Sequence, residues 1–389
     1  QFNAHRHPFV EPVSNAHSDS PLPTLARART GQGDMGLEVR GSMDGESEGI
    51  IEVMRRQWAS MTSMAGMFVG TILLGLSLQP VYDRPEARAF GEEGATKGGY
   101  VAMEMLLILI FTVVIIWLAR KGLDFIIKGI VFFALGSSLF YVLWPYLYLL
   151  GISSPDLLLY SSIAGSVGLM VLLAKYPEWY VVNTVGVLVG AGVVVLIGVT
   201  FVPVLIIAFM IAAAIYDHWA VNSSKHMLEL ADTMIKNKLP VLLVAPKERG
   251  YSFIDEEETV MQSESSEEMD WDDPAPNVKP KKGGRDALFM GLGDVIFPGM
   301  LVISAVSFLP ERGTELTYVF GSMYSGQLAV GLGTLFGGLC GYVGLMTQVA
   351  RGQAQAGLPL LNGGSILGYL VSGIIVVGPA ALWQDISFL

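Results

Sequence analysis

Residues 181–219 read VVNTVGVLVGAGVVVLIGVTFVPVLIIAFMIAAAIYDHW, one nearly continuous apolar run. At about 1.5 Å per helical residue, the run is roughly twice the length that the ~30 Å hydrocarbon core of a bilayer requires. Gly198, Thr200 and Pro203 supply the break expected of a hairpin near its middle. We therefore expect two antiparallel membrane helices here. A single bent helix is the competing interpretation, and it would reverse the side of every later loop.

The overall composition is that of a membrane protein. Hydrophobic residues make up 52% of the 389 residues and charged residues 15%, with a mean hydropathy of +0.52. These values lie outside the usual range of soluble domains. The net charge of −11 argues against a nucleic-acid partner, which requires clustered Lys and Arg. Because Cys340 is the single cysteine, it forms neither an intramolecular disulfide nor a cysteine metal site, and we expect no metal or other cofactor.

Nine segments have the length and apolar character of membrane spans. The sequence thus predicts an all-α polytopic membrane protein with nine transmembrane helices, and it leaves the oligomeric state open. The predicted spans are Met61–Leu78, Val101–Ala119, Phe125–Leu149, Leu157–Ala174, Val181–Val199, Val202–Trp219, Ala287–Leu309, Ser325–Val349 and Leu360–Trp383.

Basic residues near the span ends predict the orientation. Cytoplasmic loops carry an excess of Lys and Arg, and with nine spans the richer side includes the N-terminus. We therefore expect a cytoplasmic N-terminus, an external C-terminus and a location in the cell membrane. The richer side carries Arg55, Arg56, Arg120, Lys121, Lys175, Arg285 and Arg351, against Arg84, Arg88, Lys97 and Arg312 on the other.

The segments outside the spans divide the chain into four parts. Residues 1–50 are polar without apolar periodicity and are predicted to be disordered. Within them, Gly41-Ser42-Met43 resembles a cloning junction before a start methionine, which suggests that some or all of this stretch derives from an expression vector. Residues 51–219 carry helices 1–6, residues 220–286 form a cytoplasmic loop, and residues 287–389 carry helices 7–9.

The long loop has three kinds of sequence. Ala220–Leu239 alternates apolar and charged residues at helical spacing, which favours an interfacial helix. Pro240–Pro246 is a short β-type run that could offer a strand edge. The stretch Asp255–Asp273 is acidic without a basic residue, and prolines follow it, so we expect a disordered linker.

Two aspartates are candidates for chemistry. Asp217 ends the sixth span and Asp294 lies early in the seventh, so both fall toward the cytoplasmic ends of adjacent antiparallel helices. Two neighbouring carboxyls in a low-dielectric site would share one proton and so provide an acid and a base to activate water. Which one begins as the base stays open, because the pair titrates as a unit. Asp217 is equally well explained as a helix-end charge beside His218.

Small residues and a proline accompany the two aspartates. Gly291 and Gly293 would let another backbone approach Asp294, although ordinary small-residue helix packing explains them as well. Pro359, in Gly357-Leu358-Pro359-Leu360-Leu361, opens the ninth span, where proline is common at a helix start.

Together these segments resemble the GxGD intramembrane aspartic proteases, the presenilin and signal peptide peptidase family, and most closely its archaeal presenilin homologues. The family pattern of Tyr-Asp, Gly-x-Gly-Asp and Pro-Ala-Leu is matched except for Leu360 in place of Ala. The resemblance covers residues from about Ile50 to the C-terminus, and a cytoplasmic N-terminus is presenilin-like. The matching residues are Tyr216-Asp217, Gly291-Leu292-Gly293-Asp294 and Pro359-Leu360-Leu361.

The resemblance implies an aspartic endopeptidase that cleaves single transmembrane helices of other proteins in the bilayer. It implies catalysis by Asp217 and Asp294, substrate positioning by Pro359–Leu361, and a supporting role for Tyr216. Because a helix shields its own carbonyls, the substrate must unwind first. We therefore expect Val241–Ala245, or the backbone near Pro359, to pair with the unwound substrate as an added strand.

Other functions fit parts of the sequence less well. Paired membrane aspartates also serve transporters or cation leak channels as ion or proton relays, but such proteins are expected to show repeated halves around a midplane site. Tyr324-Ser325-Gly326 lacks the preceding Gly of a rhomboid-like serine protease, and no His-Glu-x-x-His zinc motif is present. A non-enzymatic scaffold remains the alternative if the aspartates do not meet.

Overall fold

The computed structural model describes residues 35–219, 242–247, 250–252, 287–318, 320–350 and 357–387. The chain divides into two units, Gln1–Gly49 and Ile50–Leu389. Of the first unit, the structure describes only residues 35–49, which form the start of the first helix.

Within the described residues, the chain forms nine long apolar helices at the nine predicted positions. Seven have the length and composition of membrane spans, and α7 and α8 are shorter apolar helices of 17 residues each. In chain order the helices are α1 Met35–Tyr82, the one-turn α2 Gly91–Gly94, α3 Gly98–Arg120, α4 Asp124–Leu149, α5 Pro155–Lys175, α6 Trp179–Gly198, α7 Pro203–Trp219, α8 Leu292–Phe308, α9 Ser325–Val349 and α10 Leu358–Val376.

The long apolar run at residues 181–219 is a hairpin, as predicted. Helix α6 ends at Gly198 and α7 begins at Pro203, because proline has no N–H and fits the first helical position. The Val202 N–H in the turn donates to the carbonyl of Ala95 at 3.1 Å, so a distant segment satisfies the turn backbone. The single bent helix is therefore wrong.

The predicted seventh span, Ala287–Leu309, is helical only from Leu292. Its first residues form strand β2, Ala287–Gly291, which pairs antiparallel with β1, Leu242–Pro246. A five-residue buried apolar run has no periodicity that separates strand from helix, and its partner strand lies far back in the sequence. A second hairpin, β3 Glu315–Tyr318 and β4 Gly321–Tyr324, joins α8 to α9.

The ninth span was predicted to reach Trp383, but α10 ends at Val376. Gly378 follows with a φ of +90°, and Pro379 then begins a short 3-10 helix, Pro379–Leu382. The positive φ turns the chain out of the helix, which a residue without Cβ allows. The last described residues pair with the loop before α3, where the Gly98 N–H donates to Ser387 at 2.7 Å.

Residues 1–50, predicted to be disordered, belong in part to a helix. Residues 35–50 continue α1 at its N-terminal end, and no proline interrupts the chain between Met35 and Gln79, so nothing prevents a helix. The predicted interfacial helix Ala220–Leu239 and the acidic linker Asp255–Asp273 lie outside the described residues.

Helix α6 is the most buried of the long helices and α3 the least. Helix α6 packs against α4, α8 and β1, at the centre of the second unit. Helix α3 instead exposes consecutive large apolar side chains, from Leu106 through Phe111. A surface this apolar requires lipid as its solvent, so α3 lies at the lipid-facing periphery.

Glycines allow α9 and α10 to pack backbone against backbone. A Cβ on Gly337 would collide with the carbonyl oxygen of Gly364, and one on Gly341 would collide with that of Leu360. This close approach is typical of membrane helices that associate through small residues. It fixes the first turn of α10 against α9, where the substrate-positioning segment was predicted.

Candidate active site

Asp217 lies in the last turn of α7 and is 7% exposed. Its carboxyl group lies close to the backbone N–H of Leu358, the first residue of α10, and close to His218. The first N–H groups of a helix have no partner within the helix and favour negative charge. The N-terminus of α10 therefore binds and orients the Asp217 carboxyl group.

Asp294 lies in the first turn of α8 and is half-buried. Its carboxyl group lies close to the backbone N–H of Gly291. On another side it meets the chain just before α10: a Cβ on Gly357 would lie 3.1 and 3.2 Å from the two carboxyl oxygens. Glycine at position 357 therefore makes room for the Asp294 carboxyl group.

The two carboxyl groups are brought together at the same end of the helix bundle. Asp217 and Asp294 interact electrostatically, and consecutive residues of one segment, Leu358 and Gly357, contact Asp217 and Asp294 respectively. The structure thus unites the three sequence segments in one site. Asp217 is not an isolated helix-end charge.

The residues predicted around the aspartates have different surroundings. The Tyr216 side chain hydrogen-bonds Thr112 of α3, away from the α10 side of Asp217, and its ring packs near Trp219. Leu292 is buried in the core beside Gly190. Gly293 has nothing within 4 Å of the position of a Cβ, so the space beside it is open.

The segment Pro359–Leu361 is divided between the surface and the core. Leu361 is fully buried, whereas Pro359 and Leu360 are partly exposed. Pro359 lines an apolar groove of about 360 Å³ between α7 and α10, which also includes Ile215, His218 and Asn362. The groove begins one residue from the N–H group that binds Asp217.

Sequence reasoning missed three residues of this region. Gly357 and Leu358 were predicted only to lie at the start of the ninth span. Gly357 acts through the absence of a Cβ and Leu358 through its backbone N–H, and neither property marks a functional residue in a sequence. Asn183 of α6 is buried and bonds the backbone of β1. A polar residue within an apolar span was the available signal for Asn183.

No metal site accompanies the carboxyl pair in the described part of the chain. Among those residues, no group of three or more His, Cys, Asp or Glu side chains could hold an ion.

The family model described as signal-peptide peptidase, presenilin aspartyl protease matches residues 65–378. The chain belongs to this family. It is also similar to a solved structure of a presenilin family intramembrane aspartate protease in the C222 space group, with 27% identity and a TM-score of 0.53 over 81% of this chain and 99% of that one. A second solved structure of a presenilin family intramembrane aspartate protease, in the P2 space group, is similar with 26% identity and a TM-score of 0.51 over 80% of this chain and 97% of that one. No curated protein matches the chain.

The family and the structural matches confirm the resemblance drawn from the motifs. The protease is an intramembrane aspartic endopeptidase, a peptide hydrolase, and its substrates are membrane proteins within the bilayer. Neither comparison supports a transporter or cation channel.

Proposed function

We propose that Asp217 and Asp294 are the catalytic pair of this protease. The observation that carries the proposal is their joint contact with one segment: Leu358 N–H binds Asp217, while the backbone at Gly357 adjoins Asp294. A pair held by a common backbone segment keeps its geometry as the chemistry proceeds, which is the condition for efficient positioning.

The proposed reaction needs one carboxylate and one carboxylic acid. The carboxylate removes a proton from water while the oxygen of that water bonds to the peptide carbonyl carbon, and the acid protonates the carbonyl oxygen. The resulting gem-diol collapses when the carboxyl group that took the proton from water passes it to the peptide nitrogen, while the other carboxyl group, now ionised, takes a proton from a gem-diol hydroxyl. The C–N bond breaks and releases a carboxylic acid and an amine, and the pair again holds one proton.

We propose that backbone donors keep the two carboxyl groups in place between these steps. The N–H groups of Leu358 and Gly291 each bind one carboxyl group. Each such bond restricts rotation of the side chain, so the oxygens that exchange protons with water and substrate stay directed at the same space. Gly293 has open space beside it, and we propose that the substrate backbone approaches the pair through this space.

The proposed substrates are single transmembrane helices that unwind before cleavage. The groove lined by Pro359 and Ile215 is apolar and adjoins the catalytic pair, so it suits the flank of such a helix. Of the predicted positioning residues, Pro359 takes this role. Leu361, fully buried, supports the α10 turn from within the core.

Two places for strand addition were expected from the sequence, Val241–Ala245 and the backbone near Pro359. At Val244 the outer edge of β1 is occupied by Asn183, which bonds the Val244 N–H at 2.8 Å and the Val244 carbonyl at 2.7 Å. We therefore propose that a substrate strand adds to β2 or to the backbone near Pro359.

We further propose that the catalytic end faces the cytoplasm, with the C-terminus outside, in the cell membrane. The described basic residues of the richer set, including Lys121 and Lys175, follow helices that end on the same side as α7 does.

The decisive experiment compares Asp217→Ala and Asp294→Ala with the wild-type enzyme on a transmembrane substrate. Asp156→Ala is the matched control, because Asp156 is exposed in the first turn of α5, at the opposite end of the bundle. We expect no detectable cleavage by the first two variants and wild-type cleavage by the third. Cleavage that survives either active-site substitution refutes the assignment.

A further inference from the structure

The buried side chain of Asn183 makes two hydrogen bonds to a single residue of β1. Its Oδ1 accepts from the Val244 N–H at 2.8 Å, and its Nδ2 donates to the Val244 carbonyl at 2.7 Å. Asn183 is 7% exposed and Val244 is fully buried. The amide thus supplies the donor and acceptor that a neighbouring strand would otherwise supply.

These two bonds select the register of the strand pair. Val244 lies opposite Phe289 of β2, and because its polar groups point to Asn183, this is a pair without mutual hydrogen bonds. Shifting β1 by one residue would place Leu243 or Ala245 opposite Asn183, with backbone groups directed at β2 instead. The Asn183 amide would then have no partner, and a buried unpaired amide is costly.

The same face of α6 continues the contact toward helix α8, which carries Asp294. Gly186, one turn beyond Asn183, would carry a Cβ only 3.0 Å from Leu243 Cδ2, and Gly190 would carry one 3.1 Å from Leu292 Cδ1. Helix α6 therefore touches β1 and then the first residue of α8. One rigid helix determines where the strand pair ends and the catalytic helix begins.

The strand pair connects this contact to Asp294. Leu242 pairs with Gly291, the last residue of β2, and the Gly291 N–H binds the Asp294 carboxyl group. We propose that Asn183 is a positioning residue: it fixes the register of β1 on β2, thereby the position of Asp294, and thus which peptide bond of the substrate is cut. The inference rests on the proposed catalytic role of Asp294.

A second side-chain contact to β1 provides a control, because its loss should have only a structural effect on the strand. Ser60 of α1 donates to the carbonyl of Pro246 at 2.6 Å, at the far end of β1 from Gly291. This contact holds the strand and supplies only one hydrogen bond, at a carbonyl. Losing it weakens the docking of β1 and leaves the pairing of Val244 unchanged.

The test uses the full chain, purified in lipid, with a transmembrane substrate. Asn183→Ala, Asn183→Asp and Ser60→Ala are compared with wild type by kcat, KM, the thermal unfolding midpoint and the cleavage positions found by mass spectrometry. Asn183→Asp retains an acceptor for the Val244 N–H, so it serves if Asn183→Ala does not fold. Asp294→Asn tests the catalytic assignment separately, by loss of all cleavage.

We expect both Asn183 variants to spread cleavage over neighbouring peptide bonds and to lower kcat at the wild-type site about tenfold, with KM changed less. Ser60→Ala should lower the unfolding midpoint and keep the wild-type cleavage positions. If folded Asn183 variants cut only at the wild-type position, or change no more than Ser60→Ala does, the inference is wrong. If Asp294→Asn still cleaves, the catalytic assignment itself has failed.

Discussion

The backbone N–H of Leu358 lies close to the carboxyl group of Asp217. This contact joins the first turn of α10 to the last turn of α7, two helices that are far apart in the sequence. The adjacent Gly357 adjoins Asp294, so two consecutive residues contact both members of the carboxyl pair. The segment before Pro359 is therefore part of the active site through its backbone.

Leu358→Pro should remove the donor to Asp217 while α10 still forms, because proline is tolerated at the first helical position. A hydrogen bond to a charged group contributes about 1.5–3 kcal/mol, so we expect kcat/KM to fall roughly 10- to 100-fold. Leu358→Ala keeps the N–H and is the control. Equal activity of the two variants would show that this N–H does not support catalysis.

Gly357→Ala should displace the Asp294 carboxyl group. The new Cβ would lie 3.1 and 3.2 Å from its oxygens, and the φ of −74° at this position suits alanine. We expect at least a tenfold loss of kcat with an unfolding midpoint close to that of the wild type. Gly344→Ala, which meets nothing within 4 Å, controls for added bulk, and an active Gly357→Ala enzyme would contradict the geometry of the pair.

Gly337→Ala should destabilise the protein. A Cβ at position 337 would collide with the carbonyl oxygen of Gly364 on α10, and overpacking of this kind costs about 1–3 kcal/mol. Thermal unfolding in detergent should show a lower midpoint than in the wild type, and Gly344→Ala on the same helix should not. An unchanged midpoint would mean that α9 and α10 do not pack backbone to backbone.

The rate of proteolysis should fall at both acidic and alkaline pH. Hydrolysis requires one ionised and one protonated carboxyl group, so a pair that carries two protons or none is inactive. The acidic and the alkaline limb of the pH–rate profile therefore both report titration of the pair as a unit. Single-turnover rates measured across pH test this. Tyr216→Phe should keep both limbs, because the Tyr216 hydroxyl bonds Thr112, and a profile with one limb would argue against a shared proton.

The C-terminus should face away from the compartment that contains the catalytic pair. A protease-cleavable tag after Leu389 should be cut when protease is added to cells whose outer envelope is permeable and whose cell membrane is intact. In inverted membrane vesicles the same tag should be protected. A tag before residue 1 should show the reverse pattern. Identical accessibility of both tags would contradict a nine-span path.

The sequence predicted the helices better than it predicted the contacts between them. Apolar length alone identified the spans, and Pro203 marked the hairpin because proline acts locally. Strand β2 was missed because its pairing with Leu242–Pro246 depends on a segment distant in sequence. Asp217 and Asp294 were predicted because charges in spans are costly, whereas Leu358 acts through a backbone group that every residue except proline has.

Helix α8, which carries Asp294, is only 17 residues long. At about 1.5 Å per residue it reaches roughly 25 Å, about 5 Å less than typical hydrocarbon thickness. Such a mismatch is relieved by thinning of the surrounding bilayer, which brings headgroups and water closer to the carboxyl pair. Acyl chain length is thus a variable to which hydrolysis by this enzyme should respond, with longer chains opposing the access of water.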